Sequence, residues 1–359
     1  MATRHLTIRA GKHAAERLRA EGFHPELFGT LVGASGGPKW LVLRHLDAVL
    51  IDRLVAPRST PLDTLGSSIG SFRHACFAQG DPHAALARFA TGYIEQSYDP
   101  SALNRRGLPC MEAITLESDR ILGLSLGEKG ADEICAHPLI NTHIVAARLQ
   151  NDRGYDRGLP SQLQVGYAAL ANAFSRRALG RSFERVVFRS GASPLGYSDL
   201  PTENIDLTPE RVQHALLASG SIPLLMEGVR STPGVPGTLF DGGIIDYHFD
   251  FEFKRREGLV LFQHFFDKIT PGWFDKPWKS RRPSAAAMND VVMIAPSDAF
   301  VAALPGGKVP DRNDFMNFST EERVERWHGV VEACRVLGRE LEELIESDGL
   351  ADRVEPFPA

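Results

Sequence analysis

Gly66-Ser67-Ser68-Ile69-Gly70 has the form G-x-S-x-G, whose chemistry requires a strand to end and a helix to begin within a few residues. A serine on such a turn presents its hydroxyl outward, and Gly66 and Gly70 remove Cβ atoms that would crowd it. The helix start also turns backbone N–H groups and partial positive charge toward any negative charge that develops there. Glycine spacing selects Ser68 over Ser67 as the nucleophile. A serine hydroxyl reacts poorly until a base takes its proton. Among the twelve histidines, His74 lies along the helix after Ser68, while His248 and His264 follow strand-like runs without an evident acid partner. Asp241 fits better. It heads Asp241-Gly242-Gly243 directly after Thr238-Leu239-Phe240, at a strand end, where a parallel sheet places its chemistry. An aspartate opening a β-turn would carry the same local signature.

Gly33-Ala34-Ser35-Gly36-Gly37-Pro38-Lys39 lies between a strand-like run and a helical one. Such a loop can converge backbone N–H groups on an oxyanion, or it can cradle a phosphate. The P-loop spacing is not met, because Pro38 precedes Lys39 and Trp40 follows it, and no G-x-G-x-x-G dinucleotide fingerprint is present. Pro38 near a first helical position is equally consistent with a plain helix entry.

These residues need elements to carry them. Strand-like runs cover Glu26–Val32, Leu62–Leu65, Asn141–Leu149, Glu184–Arg189, Thr238–Phe240, Leu259–Gln263 and Val291–Ile294. Helical periodicity covers Lys39–Leu54, Ile69–Gln79, Pro82–Gln96, Ser161–Ala178, Pro209–Ser219 and a last long helix over Thr320–Ser347. Short apolar strands alternating with helices predict an α/β fold, a three-layer α/β/α sandwich with a mainly parallel central sheet. Neither Pro/Gly-rich loop, Ser231–Gly237 or Pro271–Pro283, divides two periodic halves. Residues 1–359 therefore read as a single domain, its motifs within about 31–243, with 244–359 completing the sheet and adding the long helix.

A net charge of −5 gives no global attraction to nucleic acid. Four widely spaced cysteines form neither a disulfide framework nor a zinc pattern, and no acidic run suggests calcium, so no metal or cofactor is expected. Met1–Ala20 spreads basic residues among apolar ones unlike a secretory leader, and the chain reads as cytoplasmic. Nothing in the sequence specifies an oligomeric state.

In this order, the glycine loop, the G-x-S-x-G turn and the Asp-Gly-Gly resemble the patatin-like phospholipase family. Ala218-Ser219-Gly220-Ser221-Ile222-Pro223 is similar to that family's A-S-x-A-x-P stretch. The resemblance implies a Ser68–Asp241 dyad without histidine, an oxyanion hole of the amides of Gly36, Gly37 and Lys39, and hydrolysis of lipid or acyl esters. No run approaches about 18 uncharged apolar residues, so a lipid substrate would be reached by peripheral contact with a membrane or met in monomeric form. Phe240, Ile244 and Ile245 would supply apolar surroundings that raise the Asp241 pKa, and the basic side chain of Lys39 would orient the loop. Ser35 and Trp40 stand where the family has glycine, with Trp40 at the site entrance. An acyltransferase using the same serine, or a non-catalytic lipid-binding protein of the same fold, would share these motifs. Phe262, Phe265, Phe266, Trp273, Phe274 and Trp278 read first as core and loop packing, and otherwise as an acyl-pocket lining or a group that touches a membrane.

Overall fold

The computed structural model describes residues 4–104, 107–150, 159–191, 199–250, 258–278 and 280–358. Residues 1–3 of the segment Met1–Ala20 lie outside them. Among the described residues, ten strands share one sheet: β1 Leu6–Ala10, β2 Phe28–Gly33, β3 Leu62–Ser67, β4 Ile140–Leu149, β5 Phe183–Arg189, β6 Thr202–Asp206, β7 Leu239–Asp241, β8 Leu259–Gln263, β9 Val291–Pro296 and β10 Val354–Pro356. Their order is β10-β1-β9-β8-β2-β3-β4-β5-β6, with β7 set against β4. Antiparallel pairing is confined to β1 with β9, β4 with β5 and β4 with β7, so the sheet is mainly parallel. Every residue of β2, β3, β8 and β9 is buried, as expected for strands covered by helices on both faces.

The junction of three strands brings the motif residues together. β4 is long enough to pair β3 along Ile140–Val145 and then β7 along Ala146–Arg148. Ser67 stands opposite Val145 and Asp241 opposite Ala146, so β3 and β7 meet end to end along one edge of β4. The tip of β3 and the tip of β7 are thereby brought together from distant parts of the chain.

Several expected elements change form. The Lys39–Leu54 periodicity is a 3₁₀ helix Gly37–Leu43, an α-helix Arg44–Leu50 and a π-helical turn Ile51–Val55. The helix after Ser68 ends at Phe77, and Ser161–Ala178 becomes helices Leu159–Phe174 and Arg176–Leu179, broken at Ser175. The single long helix over Thr320–Ser347 is corrected to Thr320–Ala333 and Arg335–Glu346. The break falls at Cys334, which is fully buried, and beyond it the backbone of Gly338 packs against His45. Trp327 before the break and Leu341 after it are both fully buried. Met1–Ala20, given no element above, contributes β1 and a helix Lys12–Glu21. Among the described residues no helix is long and apolar enough to cross a membrane.

Candidate active site

Ser68 occupies the turn between β3 and the helix Ile69–Phe77 with φ 52° and ψ −130°, a conformation costly for a residue with a side chain. Its surroundings enforce it. A Cβ on Gly70 would lie 2.1 Å from the Gly33 carbonyl oxygen, and one on Gly66 2.5 Å from the Ser71 nitrogen. The bare backbones let the helix seat directly on the ends of β2 and β3. The Ser68 Oγ donates to Asp241 Oδ2 at 3.0 Å, while the other carboxylate oxygen, Oδ1, accepts the Gly243 N–H at 2.6 Å. Serine and aspartate are buried to within a few per cent, 6 % and 5 % exposed. Gly242 must also be bare, since a Cβ there would meet the Val145 carbonyl at 2.2 Å.

Burial pushes the Asp241 carboxyl up to about 6, against the lowering effects of the Gly243 and Ser68 hydrogen bonds and of Lys276 and Arg312. Phe240, Ile244 and Ile245, all buried, supply that apolar setting. The pKa shift places a carboxylate within reach of a general base at neutral pH.

Ser219 ties the assembly together. Its hydroxyl accepts the Ser68 N–H at 2.8 Å and donates to the Val145 carbonyl at 2.6 Å, linking Ser68 to β4. Two residues on, the Ser221 carbonyl accepts the Asp241 N–H at 2.8 Å. The Ala218–Pro223 stretch was visible as a motif, yet nothing in its sequence announced that it grips both partners. On the far side, Asp246 is fully buried and accepts from Arg185 Nε at 2.5 Å and Arg176 at 3.0 Å, while its carbonyl accepts the Ser67 hydroxyl at 2.5 Å.

The glycine loop faces this pair. Gly37 has φ +54°, and a Cβ on Gly36 would lie 2.5 Å from the Phe265 ring. Gly36 caps the 3₁₀ helix and Gly37 begins it, so their amides precede its first internal bond, and Pro38 has no amide to offer. In an i→i+3 pattern the Lys39 amide turns to the Gly36 carbonyl, the same oxygen that its Nζ reaches at 3.4 Å. Trp40 does not stand at the entrance: it is fully buried and stacks on Phe89 at 4.8 Å between ring centroids.

The cavity above Ser68 is small, about 60 Å³, and Gly36, Gly37, Asp241, Ile222 and Trp273 contribute to its walls. Lys39, Lys276 and Arg312 also line it. Burial beside Lys39 and Arg312 brings Lys276 down to about 7, and burial also lowers Lys39. Lys276 lies over the Tyr247 ring at 4.1 Å. Lys276 and Arg312 belong to no motif, and only folding reveals them. Of the aromatic group, Phe262 and Phe265 are core, Trp273 lines the cavity and Trp278 is exposed. His248 and His264 meet edge to face at 4.2 Å between ring centroids, and burial lowers the pKa of both, His264 to about 3.

No protein-family model and no curated protein matches the chain. Among solved structures, the chain is similar to the type III effector protein ExoU, at 18 % identity over 90 % of this chain with a TM-score of 0.33. It spans 54 % of that protein. It is also similar to VipD from Legionella pneumophila, at 13 % identity over 97 % of this chain and 71 % of that one, with a TM-score of 0.36. Likenesses this weak leave the chemistry to be argued from the chain's own geometry.

Proposed function

We propose that the chain is a serine esterase acting on lipid acyl esters, of the patatin-like kind, with Ser68 as nucleophile and Asp241 as base. The observation that carries this reading is the 3.0 Å hydrogen bond between the hydroxyl and a buried carboxylate whose pKa is raised to about 6. As Ser68 Oγ bonds to the ester carbonyl carbon, its proton passes to Asp241 Oδ2 and the carbonyl oxygen gains negative charge. The Gly36 and Gly37 amides face that charge, a form of stabilisation worth roughly 3–4 kcal/mol per donor in hydrolases. Collapse breaks the ester C–O bond and Asp241 returns the proton to the departing alkoxide. Water, deprotonated by the same carboxylate, then releases the acid and restores Ser68. Lys39, Lys276 and Arg312 around the cavity favour esters that carry an anionic group, such as the phosphate of a glycerophospholipid.

The test is labelling by a fluorophosphonate probe together with turnover of p-nitrophenyl esters of increasing chain length, on the wild type and on Ser68→Ala and Asp241→Asn. Labelling and turnover should vanish in the first variant, and turnover in the second. Full activity in either variant removes the dyad. Glycerol added to the assay separates hydrolysis from acyl transfer by its products.

A further inference from the structure

The helix Leu159–Phe174 contains no charged residue. It is anchored by an inward face: Ala168 and Asn172 are buried, and Val165 packs on a small core with Leu179, Phe183 and Ile245. Its opposite face is also apolar. Leu163, Tyr167, Leu170 and Phe174 are 68, 55, 65 and 90 % exposed. At about 100° per residue these four positions fall within roughly 60° of one another, on the side away from Ala168 and Asn172. A helix that is apolar on two opposed faces satisfies one of them in the core and leaves the other to be covered from outside. Among the described residues nothing covers it.

The position of this face ties it to the Ser68 cavity. Asn172 donates to Asp275 at 2.7 Å, and Arg281 donates to the carbonyls of Asn172 and Ala173, each at 2.7 Å. The helix end is thus fastened to the turn that sends Trp273 and Lys276 into the Ser68 cavity and leaves Trp278 47 % exposed. Across the cavity, Leu224 follows the lining residues Ile222 and Pro223 and is 45 % exposed. Beyond the helix, Arg177 and Arg181 are exposed cations. An apolar stripe, a tryptophan at its margin and adjacent arginines are the composition of an element that lies in the interfacial plane of an anionic bilayer.

We infer that the face formed by Leu163, Tyr167, Leu170 and Phe174 docks the protein on an anionic lipid surface, bringing the Ser68 cavity to the membrane. The choice of a lipid partner rests on the proposed lipid-ester chemistry, but the docking itself is read by binding, not by turnover.

The experiment is co-sedimentation with vesicles of phosphatidylcholine alone and of phosphatidylcholine mixed with phosphatidylglycerol. It compares the wild type, Ser68→Ala, a Leu163→Asp/Leu170→Asp double variant and Phe174→Ser. The wild type and Ser68→Ala should bind the mixed vesicles equally. The double variant should lose at least about tenfold in binding, and Phe174→Ser a smaller amount, while both keep the wild-type melting temperature and turnover of a soluble short-chain ester. Binding by the double variant equal to wild type, or no vesicle binding by the wild type, overturns the inference. So does a wild-type dimer that the double variant converts to monomer without vesicle binding, which would assign the face to a second copy. If Ser68→Ala still turns over esters, the catalytic proposal falls and the docking result stands by itself.

Discussion

Ser68 and Asp241 are held by different balances of sterics and hydrogen bonding. The serine is positioned by sterics: a strained backbone is trapped because bare glycines let β2, β3 and the following helix close on each other, Gly70 against Gly33 and Gly66 against Ser71. The aspartate is positioned by charge and hydrogen bonding. It ends a three-residue strand, and the loop behind it is fastened through Asp246 to Arg185 on β5 and to Arg176. A steric mount tolerates no added atoms but is indifferent to salt and pH. An electrostatic mount accepts changes of shape but fails when one charge is left alone.

That contrast can be broken from either side. Gly70→Ala places a methyl against a carbonyl that cannot retreat, and should cost more than about 4 kcal/mol, with little soluble protein at any ionic strength. Chemical denaturation of whatever folds checks it, and near-wild-type stability would show that the elbow has slack. Arg185→Met leaves Asp246 buried with a depleted set of partners, for a loss of roughly 3–5 kcal/mol. Adding Asp246→Leu should recover much of that stability but not the turnover, because the loop would be packed rather than aimed. Asp241→Asn sharpens the comparison through pH. The folded carboxyl lies at about 6 against an ordinary 3.8, so folding favours the protonated acid and its ionisation works against the fold. The wild type forfeits stability as pH rises from about 4 through about 6, whereas asparagine forfeits none. The variant should be more stable by roughly 2–3 kcal/mol near pH 8 and equal to wild type near pH 4, although inactive throughout. Ser219→Ala removes the acceptor of the Ser68 amide and one donor to β4, and should cost about 1–2 kcal/mol of stability. Its kcat should fall while KM for a soluble ester stays level.

What could be read before folding was local. Gly66, Gly70 and Gly242 are demanded by close backbone contacts and Gly243 by the Ser35 and Asp241 side chains, all within a few residues of Ser68 or Asp241 in sequence, so they leave a motif. The central strands are buried on both faces and show as short apolar runs. Distant agreement left no mark: Arg185 and Asp246 are ordinary charged residues until β5 and the Asp241 loop meet, and Ser219 reaches Ser68 only through the junction on β4. Edge strands were hidden for another reason. β6 reads Thr-Glu-Asn-Ile-Asp with no buried position, and β10 has three residues, so neither carries a buried apolar pattern. The break at Cys334 has no proline or glycine beside it, because packing sets it rather than local chemistry.

β1 has a consequence for how the protein comes into being. It runs parallel to β10 on one side and antiparallel to β9 on the other. Both neighbours are translated long after it. For most of synthesis this strand, apolar on one face, has no hydrogen-bonding partner, while β2, β3 and β4 can already assemble the bed on which Ser68 turns. The nascent chain can therefore bring Ser68 and Asp241 together before it can close the far edge of its sheet, and the wait exposes an unpaired strand that a chaperone would be well placed to shield.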